Sequence, residues 1–173
     1  TKRNEYYKTP EEYTYAVADA IREEYKAIVD AGFLVQSDAP GLPRPPANAA
    51  SEAEGRKTVE MRIDALNYAL RDIPQDRVRF HTCFGVNMGP RVFDDTLEEM
   101  LPLMLKINAG AYSFEAANPR HMHEYHVFED VKLPEGKTII PGMITHAHNI
   151  VEHPDLICEM IVNYAERVGK ENV

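Results

Sequence analysis

The run VRFHTC at positions 78–83 sets an imidazole and a thiol two residues apart. On an extended strand alternate side chains share a face, so Arg79, His81 and Cys83 point one way, and Phe80 and Thr82 the other. In GAYSFE at 110–115, Ala111, Ser113 and Glu115 fall together in the same manner, as do Gln36 and Asp38 in FLVQSD at 33–38. Three successive strand-like runs thus end on polar groups. An imidazole, a thiolate and a carboxylate together suit a borderline-soft cation that accepts nitrogen, sulfur and oxygen, and zinc is the natural candidate. The same residues also read as a core cysteine beside a hydrogen-bonded histidine, so residue types alone leave two possibilities open.

The elements that must position these groups are well marked. Thr9-Pro10-Glu11-Glu12 combines an N-cap threonine, a proline at the first helical position and a capping glutamate. The helix it opens carries Val17, Ile21, Tyr25 and Ile28 on one face and stops at Gly32. A second helix is predicted over 52–71. A third opens at Thr96 with Glu99 as capping partner and runs towards Asn108, and a fourth runs from Pro154 to before Gly169. Strands are predicted at 33–37, 78–83, 110–115 and 138–144. Regular alternation of strand and helix implies βαβ units and a parallel sheet. The stretch 114–138 is predicted as a long loop with a short helical turn, and 39–50, with four prolines, as rigid loop. Four strands and four helices make about half of an eight-stranded barrel of ~250 residues. We therefore expect a piece of a longer polypeptide, one partial barrel domain over 1–173; a small open α/β sheet is the competing reading.

Composition narrows the function further. The formal net charge of the 173 residues is −9, opposite to what gripping a phosphate backbone requires, so no nucleic-acid partner is expected. No apolar run approaches the ~18 residues of a membrane span, and the polar first residues lack a secretion signal. Two cysteines give no disulfide framework, and a cytoplasmic setting is the default. Cys158, in the apolar helical run LICEMIVNY, is expected to be buried as a small hydrophobe.

HTCFG at 81–85, AGAYSFEAANPRH at 109–121, PGMITHAHNIVEHP at 141–154 and VADAIREEYKAIVDAGFLVQSDAP at 17–40 stand in an order that resembles the catalytic domain of cobalamin-independent methionine synthases. The resemblance extends to short methionine-synthase-like proteins and to epoxyalkane:coenzyme M transferase. It implies the C-terminal portion of a TIM (β/α)8 barrel and a zinc ion held by His81, Cys83 and Glu115. A further cysteine ligand is expected beyond Val173. The resemblance makes Asp38 a contact to the thiol substrate, with Gln36 on the same face. Ala39 stands where a second acidic residue is usual, a departure that bears on which thiol is recognised. Arg120 and His121 are implied to orient substrate, and His146 or His148 to act as the catalytic proton donor. The implied activity is alkyl transfer to a small-molecule thiol: a methyl group from 5-methyltetrahydrofolate or its polyglutamate to homocysteine. The alternatives are addition of a thiol to an epoxide, with Arg79 and Arg91 available for an anionic substrate, and a non-catalytic barrel piece that binds a partner. Homo-oligomerisation is possible under each. The dense histidines of HMHEYH, at 121–126, read as a second metal site only weakly.

Overall fold

The computed structural model describes residues 4–42, 44–45, 49–85, 92, 94–146 and 148–173. Four strands, β1 (Val35–Asp38), β2 (Val78–His81), β3 (Ala111–Glu115) and β4 (Thr138–Gly142), form one parallel sheet in the order β1-β2-β3-β4. Helices α1 (Pro10–Asp30), α2 (Glu52–Ala69), α3 (Leu97–Met104), α4 (Val127–Asp130) and α5 (Pro154–Val168) alternate with them. Sequential parallel strands joined through helices are the arrangement of consecutive units of a (β/α) barrel. All four expected strands are present. The expected turn between β3 and β4 is a 3-10 turn at Glu124–His126 running into α4.

The helices begin where the capping chemistry places them. Thr9 Oγ1 accepts from Glu12 N at 3.0 Å, while the Glu12 carboxylate accepts from Lys8 N, one residue earlier than a full capping box requires. Thr96 and Glu99 complete a true box, each side chain satisfying the other's backbone N–H. At α5 the cap is an imidazole: His153 Nδ1 accepts from Asp155 N at 3.2 Å. Helix α3 stops at Met104, short of Asn108, and residues 105–109 turn back through bonds such as Ile107 N to Met104 O.

The sheet has two unlike faces. Val35, Val78, Phe80, Tyr112, Phe114 and Ile139 pack under the helices, each at most 3% exposed. Leu97, Met100, Leu101 and Met104 from α3, with Val59 and Ile63 from α2, complete this core. Each such side chain contributes about 1.5–3 kcal/mol by leaving water. The other face carries Gln36, Asp38, Arg79, His81, Ser113 and Ile140, half-buried or exposed. β3 enters the sheet at Gly110, where a Cβ would lie 2.7 Å from the Gln75 carbonyl oxygen. That approach sets β3 against the turn before β2.

One expectation is corrected. Cys158 is exposed, not buried. α5 buries Met160 and Tyr164 against the sheet, whereas Ile161 and Val162 on its outer side are 41% and 50% exposed. An apolar run on both sides of a helix does not say which side finds the core.

Candidate functional site at the strand tips

The register brings Asp38, His81 and Ser113 onto one level, with Glu115 two residues further along β3. Asp38 pairs with His81, His81 with Ser113, and Glu115 with Gly142. The β2–β3 ladder continues past His81 through Thr82 N to Ser113 O at 3.0 Å. Cys83 lies two residues past the end of β2, beyond the last paired residues His81 and Ser113. Opposite Glu115 on β4 is Gly142, which has no side chain to fill the space beside it.

His81 is tied through one ring nitrogen and has a carboxylate near the other. Nδ1 lies 3.1 Å from Ser113 Oγ, and Nε2 lies 4.0 Å from Asp38 Oδ1. With Nδ1 held by the serine, Nε2 is the nitrogen left for a cation or a proton. Glu115 is buried, and its Oε1 accepts from Asn118 Nδ2 at 2.8 Å. Cys83 is half-buried. Among the described residues no three His, Cys, Asp or Glu side chains stand close enough together to hold a metal ion. The donor types suit zinc, but among the described residues they are not gathered as a metal site would gather them.

The remaining expected residues are distributed differently. Gln36 and Asp38 are exposed on the open face of β1. Arg120 is bound to the neighbouring loop, its Nε 3.2 Å from Asp94 Oδ2 and its Nη2 3.3 Å from the Val92 carbonyl oxygen. His121 is 2% exposed, with Nδ1 2.9 Å from Glu124 Oε2 and Nε2 3.4 Å from Asp94 Oδ2. A ring so enclosed is placed for internal contacts. His146 is exposed in the loop after β4, and His148 Nδ1 accepts from Ile150 N at 3.1 Å. His126 pairs with Glu129 at 2.8 Å, and together with Arg167 it holds that carboxyl below its ordinary range. Arg91 lies outside the described residues.

Sequence reasoning missed Ser113 and Asn118 as supports. The signal for Ser113 was present, since it shares the Glu115 face, but only the register reveals that it meets His81. Asn118 follows Glu115 by three residues across a turn, a spacing that no strand or helix periodicity flags.

The strands, helices and order define an α/β protein built as part of a (β/α) barrel, and no described helix is long and apolar enough to cross a membrane. Among solved structures this fold matches a B12-independent methionine synthase from a Shewanella species, in complex with selenomethionine. The TM-score is 0.73 at 20% sequence identity, over 97% of this chain and 48% of that one. The chain thus spans about half the length of the structure it matches, and the likeness establishes the fold. No family model and no curated protein matches the sequence.

Proposed function

We propose that the chain carries part of the active site of a zinc-dependent transferase that moves an alkyl group onto a small-molecule thiol. The observation that supports it is that His81 and Glu115 end adjacent parallel strands, with Cys83 two residues past His81. The fold's likeness to a methionine synthase supports the same reading. Methyl transfer from a methylated folate to homocysteine or a similar thiol is the favoured reaction.

In this reading His81, Cys83 and Glu115 would hold the ion. When bound there, zinc would supply the lowering of a substrate thiol's pKa that favours the nucleophilic thiolate. Glu115 would be the hard oxygen donor of that set, the one least matched to zinc. Asp38, exposed beside His81, and Gln36, beside Arg79 on the same face, would meet the substrate's polar end. The sulfur–carbon bond forms as the carbon–nitrogen bond of the folate breaks. The electron pair stays on nitrogen, which takes a proton from a general acid. His146 or His148 supplies that proton from the loop after β4.

A second reading replaces the methyl donor by an epoxide. Exposed Arg79, on the His81 face, offers a cation for a thiol that bears an anionic group. Assaying the full-length protein with homocysteine and methyltetrahydrofolate, and separately with coenzyme M and epoxypropane, separates the two. Methionine formation that is lost in Cys83→Ala supports methyl transfer. Thioether formation only in the second mixture transfers the assignment to the epoxide. Turnover in neither mixture, in zinc-loaded protein, contradicts both.

A further inference from the structure

Three loops at the carboxyl end of the sheet meet on one aromatic ring. Phe84, the residue after Cys83, is stacked on His121 with centroids 3.8 Å apart and planes 9° from parallel. From the β1 side the Arg44 guanidinium lies over Phe84 at 4.9 Å while its Nε pairs with Asp95 at 2.7 Å. From the β3 side comes His121 itself. The histidine continues the tie: Glu124, which faces its Nδ1, accepts from Leu97 N at 3.0 Å through the other carboxylate oxygen, at the start of α3. Asn118, whose carbonyl oxygen accepts from His121 N at 2.9 Å, donates to Glu115. Within a few bonds, then, one buried imidazole touches the residue next to Cys83, the segment that holds Glu115, and the first turn of α3.

We propose that His121 is a positioning residue: it locks the tips of β2 and β3 in fixed relation and so sets the separation of Cys83 and Glu115. The physical basis is burial. A histidine at 2% exposure has paid its desolvation, so both ring nitrogens need partners, and Asp94 and Glu124 bind it from two different loops. Its flat face then restrains Phe84, whose backbone is continuous with that of Cys83. Outer groups that orient ligands in this way commonly change metal affinity by about 10–100-fold when removed. The role in metal binding rests on the zinc reading; the restraint on Cys83 does not.

The test uses full-length protein and two readouts. In metal-free protein the rate of Cys83 alkylation by iodoacetamide is followed by peptide mass spectrometry, normalised to exposed Cys158. Cobalt(II) is then titrated alone, through its thiolate charge-transfer absorption. His121→Ala is expected to speed Cys83 alkylation about tenfold and to weaken cobalt binding by about 10–100-fold, with the saturated spectrum unchanged. His121→Gln, which keeps a bond to Glu124, restores part of both, and His121→Phe, which keeps only the stack, restores less. These two variants carry the test if His121→Ala does not fold. Should the unmodified protein show no Cys83-dependent cobalt band, the zinc reading fails and the alkylation rates alone decide the restraint. Alkylation rates equal to the unmodified protein's in every folded variant overturn the proposal.

Discussion

Ser113 and Asp38 stand on opposite sides of the His81 ring, and the hydroxyl holds the closer nitrogen. That contact fixes which ring nitrogen is presented at the strand tips, so its loss should act on affinity before it acts on folding. Ser113→Ala is expected to lower zinc affinity by about 10–100-fold while moving the thermal midpoint by no more than a few degrees. Competition with a chromophoric chelator measures the first quantity and calorimetry the second. A midpoint that collapses with affinity intact would make the serine a folding residue instead. The proposed metal donors stand out in the sequence because their types are rare in combination and their spacing matches a strand. Their supports were not, because a serine or asparagine announces nothing until its neighbour across the ladder is known.

The strands and helices were the most legible part of the chain. Alternation in VRFH and AYSFE, the Thr96–Glu99 box and the prolines at the starts of α1 and α5 each fix an element by local physics. What local physics omits is packing choice, as Cys158 shows. It also leaves out the approach at Gly110, where an added Cβ would meet backbone at 2.7 Å. Gly110→Ala is expected to cost about 1–3 kcal/mol, since the obstructing atom is a carbonyl oxygen that cannot rotate away. Thr96→Ala, removing one half of the α3 box, should cost about 1 kcal/mol. Urea midpoints check both, and a Gly110→Ala protein as stable as the parent would show that the β3 entry relaxes freely.

Over the whole molecule, two buried phenols couple stability to alkaline pH. Burial pushes Tyr112, whose hydroxyl donates to the Ile107 carbonyl oxygen at 2.9 Å, up to about 12, and pushes Tyr164 upward as well. A folded-state pKa above the unfolded value of ~10 means that stability is fully present below pH 10 and falls as pH rises towards 12. For Tyr112 the loss reaches about 2–3 kcal/mol at the upper end. Tyr112→Phe should flatten that part of the alkaline slope in urea titrations, and an unchanged slope would remove Tyr112 from the account. The fold itself, a parallel sheet with one helix-covered face and one polar face, leaves the strand tips as the place where the proposed site would be assembled. Metal content of the full-length protein tests that most directly. The account predicts about one zinc per chain in the parent and its loss in both His81→Ala and Cys83→Ala, with the circular dichroism of each variant unchanged. Equal zinc in parent and variants, or folded parent protein that takes up none when offered it, would contradict it.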